Sequence, residues 1–416
     1  MSNDAPQYDV IIIGAGPAGS MAASLLTQQQ LKVLVVEKQQ FPRFSIGESL
    51  LPQSMTYLQE AKLLSAVENA ADKLGFQYKN GAAFYAKGHY SDFDFSQKFS
   101  AGPSHTYQVK RADFDQLLAN EAEKQGAEFK FGYQLTDIQL EPQPSLTLED
   151  EQGDITQVEA RFVLDASGFA RVLPRLLNLD QPSDFPVRSS VFCHIEDKIT
   201  DSGYDRNKIL IETHPQLKDV WYWLIPFADG TASLGCVAKP EYFERLSPTA
   251  VPESMLEQAV AQTQRCKKLL ASSRNISPVQ HITGYSSNVK QLYGTNYALL
   301  GNAGEFLDPI FSSGVTIAFK SAKLASEVLT RQFSGEQYCW QSQFAQPLQQ
   351  GVDTFKAFVC SWYQGQLQDI IHFEQAPANI REMVCSVLAG YAWDHDNSFV
   401  QQPERRLRVL GELCAS

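Results

Sequence analysis

The chain has 416 residues, 44% of them hydrophobic, with a formal net charge of −12 and a pI near 5.1. That length can bury a large core across two or three structural units, and the acidic balance argues against a surface built to neutralise nucleic-acid phosphates. Seven scattered cysteines without a C-x-x-C pair suggest free thiols in a reducing cytoplasm. With no apolar run near 18 residues and no basic stretch before the first apolar segment, we expect a cytoplasmic protein with no metal, no membrane span and no signal peptide.

Residues 8–13 form a short β-branched run, glycines follow, an apolar helix pattern runs to Leu25, and residues 32–37 read as a second strand; this is a β-α-β unit. The alternation of Phe93, Phe95 and Phe99 predicts exposed strands over 90–107, before a helix that starts at Arg111-Ala112-Asp113. A strand-rich meander over 129–165 ends in Phe162-Val163-Leu164 and the turn Asp165-Ala166-Ser167-Gly168. Candidate strands follow at 189–194, 209–213, 220–225 and 232–237, then a polar helix near 252–271. A buried strand at 298–301 leads to a long helix over 314–329, and the last eighty residues read as helices. Among these, Phe358, Trp362, Tyr391 and Trp393 are expected to pack rather than to line a substrate mouth.

Gly14-Ala15-Gly16-Pro17-Ala18-Gly19 follows a strand and opens a helix, the context in which G-x-G-x-x-G binds a dinucleotide. Its glycines allow a tight turn, close approach of pyrophosphate and close helix packing, while the helix N-terminus favours the phosphate charge. Glu37, eighteen residues past Gly19 and followed by Lys38, is placed to bond the adenosine ribose. Returns of the chain to this site at Asp165–Gly168 and at Gly301-Asn302-Ala303 favour FAD over NAD.

With Arg111 in Val109-Lys110-Arg111-Ala112-Asp113-Phe114-Asp115, these segments resemble the FAD contacts of the aromatic-hydroxylase (class A FAD monooxygenase) superfamily over residues 8–335. Asn302 stands where that superfamily usually has an aspartate. The resemblance implies an α/β fold: a discontinuous Rossmann-like FAD-binding domain over 1–185 and 285–335, an inserted β-rich substrate domain over 186–284 joined by part of 74–108, and a helical C-terminal region over 336–416.

Three further segments resemble the flavin-dependent halogenases. The loop Phe41-Pro42-Arg43-Phe44-Ser45-Ile46-Gly47-Glu48-Ser49-Leu50-Leu51-Pro52 is similar to the one that runs along the flavin in that family, which implies cofactor contacts for Arg43, Ile46, Gly47, Glu48 and Ser49. Trp221-Tyr222-Trp223-Leu224-Ile225-Pro226 matches W-x-W-x-I-P; period-two spacing puts both indoles on one face, where they can wall flavin from substrate. Phe306-Leu307-Asp308-Pro309-Ile310-Phe311-Ser312-Ser313-Gly314-Val315 is similar to the segment passing the flavin ring, with Pro309 and Val315 beside the ring and the amides of Ser313 and Gly314 open to halide. Phe311 replaces the glutamate of halogenases acting on free tryptophan, so phenols, pyrroles or carrier-bound substrates are expected instead.

Lys79 falls where halogenases carry their essential lysine. The implied reaction uses a flavin C4a-hydroperoxide to oxidise halide, with hypohalous acid passing Trp221 and Trp223 to Lys79 and from there to an electron-rich ring. No second glycine-rich motif appears, so a separate flavin reductase or transient NAD(P)H is expected to supply electrons. The alternatives are a monooxygenase that hydroxylates an aromatic group, including a tryptophan in a partner polypeptide during quinone-cofactor formation, and a saturase resembling geranylgeranyl reductase.

Overall fold

A computed structural model describes residues 7–183, 185–247, 251–373, 375 and 377–414. The first strand, Gln7–Ile13, lies parallel to Val33–Glu37 on one side and to Ile155–Asp165 on the other. Such β-branched, fully buried strands suit a sheet covered on both faces. Around them the order is Glu128–Phe131, Val33–Glu37, Gln7–Ile13, Ile155–Asp165, Ser145–Asp150, Tyr133–Gln139, with Tyr297–Leu299 also paired to Ile155–Asp165. The helix Pro17–Thr27 packs against the helix Gly314–Ser334. By this pairing, segments about 300 residues apart in sequence lie side by side.

A second sheet of eight strands has Trp221–Pro226 between Lys208–Thr213 and Thr231–Ala238. It also takes Gly81–Ala86 and His89–Asp94 from the earlier part of the chain, with Gly81–Ala86 parallel to Lys208–Thr213. Along the tryptophan strand, Trp221, Trp223 and Ile225 face the main core, while Tyr222 and Leu224 face a second core beneath the helix Pro252–Ala261. Each indole withdraws roughly 200 Å² from water, about 5 kcal/mol of hydrophobic stabilisation before entropy. A one-residue slip would exchange the two faces, so this burial fixes the register.

Two expectations change. The segment over 90–107 is one strand, His89–Asp94, a 3-10 turn Phe95–Gln97 and a short strand Thr106–Gln108; Phe93 and Phe95 are buried and only Phe99 is exposed. Their alternation reflects packing under the C-terminal helix Ala378–Leu388, a contact that local pattern does not encode. The polar helix near 252–271 is two helices, Pro252–Ala261 and Arg265–Leu269. Glu212 takes the N–H groups of Gln264, Arg265 and Cys266 at the break. Phe358, Trp362 and Tyr391 are buried, and Trp393 packs over Gly351. No helix among the described residues is long and apolar enough to cross a membrane.

Candidate active site

At the end of the first strand the backbone reverses beneath a helix, and Gly14 makes the turn at φ +99°. A Cβ there would stand 2.6 Å from the Ala166 carbonyl oxygen, and one on Gly19 would stand 1.9 Å from that of Gly14. Glycine is required at both. Gly16 precedes the first turn of the helix, Pro17 and Ala18, which has neither a side-chain cap nor an acidic residue, so its N–H groups and dipole are free for an anion. A Cβ on Gly16 would meet Arg43 Nη2 at 3.4 Å and Asp115 Oδ2 at 3.9 Å. Arg111 pairs side-on with Asp115, Nε to Oδ1 at 2.7 Å and Nη2 to Oδ2 at 2.9 Å, and Arg43 joins the same carboxylate at 3.2 Å. Glu37 accepts from Ala15 N at 2.9 Å and Gln39 N at 3.0 Å, which still leaves lone pairs on its carboxylate. An uncapped helix start, two arginines and an acid at the strand end fit the pyrophosphate and ribose of a dinucleotide.

The returning segments serve mainly to shape this cleft. Asp165, expected at the cofactor, is fully buried and accepts from Ser167 N and Leu173 N, so its carboxylate forms the turn behind Gly14. Burial raises its pKa against those two bonds. Gly168 follows at φ +60° with open space around it, and Lys38 is exposed. Gly301, at φ +51°, packs so closely that a Cβ would meet Ala318 at 3.0 Å and Ala18 at 3.9 Å. Arg171 binds the carbonyls of Asn302 and Gly304 and pairs with Asp180, holding the third segment in place.

The loop over 41–52 ties this cleft to the second sheet. Gly47 turns at φ +100°, and a Cβ there would be 2.9 Å from Arg111, whose Nη1 donates to the Ile46 carbonyl. Beyond it the backbone pairs with the strand Thr106–Gln108: Val109 N donates to Glu48 O and Leu50 N to Tyr107 O. Glu48 does not turn its carboxylate to the arginine cluster; it bonds the His194 ring on the second sheet, and Phe44 stacks over Phe192 beside it. Any contact of Glu48 with the cofactor would then fall to its backbone. Ser49 accepts from Lys79 Nζ at 2.8 Å, and Leu50 O accepts from the same amine at 2.7 Å.

Lys79 is 1% exposed, with the Phe95 ring 5.6 Å from its amine. Both hydrogen-bond acceptors are neutral, and burial pushes the amine down to about 7. At neutral pH such a lysine carries a large fraction of free amine, the nucleophilic form.

Trp221 and Trp223 lie with ring centroids 5.9 Å apart. Trp223 donates to Ser233 Oγ at 3.0 Å, and Gly235 makes room for its ring. Trp221 donates to Tyr363 Oη at 3.0 Å, and Tyr363 donates to Asp308 Oδ2 at 2.8 Å. Asp308 also accepts from Ile310 N and so caps the 3-10 turn Pro309–Phe311. Burial raises its carboxyl to about 6, opposed by the Tyr363 bond. After Ser312 at φ +57° comes buried Ser313, then the 21-residue helix Gly314–Ser334, whose N-terminus has no side-chain cap and no acid in its first turn. A Cβ on Gly314 would find only Asn302 Oδ1, at 4.0 Å, and Val315 is buried beneath. This second uncapped helix start is suited to a halide or another small anion.

Residues 7–291 match the FAD binding domain family. The chain belongs to that family. FAD is its cofactor, and the flavoprotein is an oxidoreductase similar in sequence to flavin-dependent halogenases. It is 28% identical to the 1H-pyrrole-2-carbonyl-[peptidyl-carrier protein] chlorinase of Pseudomonas fluorescens, over 86% of this chain and 84% of that protein. A crystal structure described as a flavoprotein/dehydrogenase from Cytophaga hutchinsonii superposes with a TM-score of 0.94 at 40% identity, covering 99% of both chains. The flavin-dependent brominase Bmp2 shares the fold, with a TM-score of 0.84 at 24% identity over 98% of this chain and 99% of its own.

Sequence reasoning missed several residues of the flavoprotein's site. Asp115 had a legible signal, four residues after Arg111 on one helix face. Arg171, His194 and Tyr363 had none, because the bonds that tie them to Asn302, Glu48 and Trp221 span 131, 146 and 142 residues. Asp308 stood within the quoted segment and shows its role only through Tyr363.

Proposed function

We propose that this flavoprotein halogenates an electron-rich aromatic substrate, with Lys79 as the group that delivers the electrophilic halogen. Reduced FAD, when bound, supplies with dioxygen the two-electron oxidant that converts halide to hypohalous acid. The start of the helix Gly314–Ser334 holds the halide through the amides of Ser313 and Gly314. Trp221 and Trp223 keep the organic substrate from the cofactor, and the packed aromatic core excludes water that would quench the oxidant. Lys79 accepts the halogen on its free amine, and its two hydrogen bonds to the 41–52 loop keep that amine beside the flavin segment.

The observation that carries this reading is the buried, unpaired Lys79 amine bonded to Ser49 and Leu50. A lysine retained for solubility would sit in water; this one is desolvated, the environment that makes an amine reactive at neutral pH. Phe311, buried where a glutamate serves tryptophan-specific relatives, favours a phenol, a pyrrole or a carrier-bound ring over free tryptophan. A partner reductase supplies reduced flavin. The test is incubation with reduced FAD, chloride or bromide, and a panel of phenols and pyrroles, read by mass spectrometry. Halogenated product supports the proposal, and oxygenated products that never contain halogen overturn it.

A further inference from the structure

A cavity of about 550 Å³ opens where the second sheet meets the helix Gln346–Tyr363, and its wall includes Arg188, Lys218, Lys239, Asp219, Phe185 and Tyr363. Three cations against one carboxylate among the described wall residues is a local excess of positive charge on a chain whose net charge is −12. Lys218 and Lys239 stand half exposed at the rim, in loose pairs with Asp369 and Asp219. Arg188 is deeper, 5% exposed, with its guanidinium 3.9 Å from the centre of the Tyr363 ring. Nη1 reaches Asp219 at 3.2 and 3.4 Å, but Nε has no hydrogen-bond partner. A buried donor left without an acceptor is costly, and natural sites keep one where a ligand or water completes it. Tyr363 links this cavity directly to Trp221 and Asp308.

We propose that this cavity is the anion subsite of the substrate, anchored by Arg188, so that the ring to be modified carries a carboxylate or a phosphate. Guanidinium presents paired donors that match either group, the aromatic floor holds the adjoining carbon skeleton, and the lysines draw the anion inward. The assignment rests on the halogenation reading for the fate of the ring, and on the cavity alone for the anion.

The experiment measures binding to the FAD-loaded protein by calorimetry, using two matched pairs: para-hydroxyphenylacetate against its amide, and phosphopantetheine against pantetheine. In the wild type at least one anion is expected to bind about tenfold more tightly than its neutral partner. The pair that discriminates identifies a free acid or a carrier-linked phosphate as the source. Arg188→Gln is expected to bring the two members within about twofold while the neutral member's affinity stays unchanged. The double variant Lys218→Ala/Lys239→Ala, at exposed positions, weakens only the anion, by about threefold and more at low salt. If Arg188→Gln fails to fold, the double variant decides instead, and an anion affinity that it leaves unchanged overturns the subsite. Equal binding of both members of both pairs in the wild type, or discrimination that a folded Arg188→Gln retains in full, overturns it as well. Arg188-dependent discrimination without halogenated product would retain the subsite and sink the halogenation reading instead.

Discussion

The nucleotide pole and the tryptophan pole of this molecule handle buried charge in opposite ways. Around Gly16, Arg43 and Arg111 share Asp115, and Glu37 is tied to two backbone amides. Beyond that cluster, Lys79 has only neutral acceptors, Asp308 is buried against hydroxyl and amide donors, and Arg188 leaves Nε unmatched. A site that only binds the nucleotide end of a cofactor gains by being complete before the cofactor arrives. A site that turns over gains from groups whose protonation or partners change during the reaction, and it gives up stability for that.

Breaking the reactive pole alone is the sharpest test of this contrast. Lys79→Met is expected to lower halogenated product by about a thousandfold, the range of a lost catalytic group. Visible flavin absorbance should stay at wild-type level. Product within tenfold of wild type would remove Lys79 from the chemistry.

The converse cut falls at Gly19. A methyl group 1.9 Å from the Gly14 carbonyl oxygen forces the helix Pro17–Thr27 away from the strand. Gly19→Ala is expected to weaken FAD by about a hundredfold, roughly 3 kcal/mol, in equilibrium dialysis. Circular dichroism of the two sheets should change little. If FAD affinity is retained, the pyrophosphate does not lie over this turn.

How much of each pole could be read in advance follows from sequence distance. Gly14 to Glu37 is one β-α-β unit, so a local pattern carried its geometry, and Arg111 with Asp115 is a single helix turn. The tryptophan strand was legible for the same reason, since alternation fixes a face. What the face meets was not legible: Tyr363 comes from a helix 142 residues later, and Glu48 crosses to His194 over 146 residues. Asp165 shows a further limit, because the two backbone bonds by which its carboxylate builds the turn are not written in the residue pattern.

The hydroxyl bridge between the indole wall and the flavin segment can be cut without removing a charge. Tyr363→Phe leaves Trp221 Nε1 and Asp308 Oδ2 each short of a partner, at about 1–3 kcal/mol. We expect about tenfold less product and a lower Tm, with FAD affinity unaffected. An unchanged Tm would mean that the Trp221–Tyr363–Asp308 chain does not hold the wall in place.

A pH dependence of stability is the signature that only the reactive pole can produce. In the folded protein the Lys79 amine titrates near 7, against an ordinary value of 10.5 in the unfolded chain. Between those values the unfolded chain binds a proton that the folded chain does not, so stability rises with pH across the window. The penalty is complete below about 7 and vanishes above about 10.5. Lys79→Met removes this penalty, on the order of 5 kcal/mol at most, and loses two hydrogen bonds worth about 1 kcal/mol each. The variant's Tm relative to wild type should therefore be most favourable near pH 6 and fall steadily toward pH 10. Arg111→Ala, at the nucleotide pole, should show no such trend, because arginine keeps its charge throughout. A flat difference for Lys79→Met would mean that the amine is solvated in the working protein, and the contrast between the two poles would lose its reactive half.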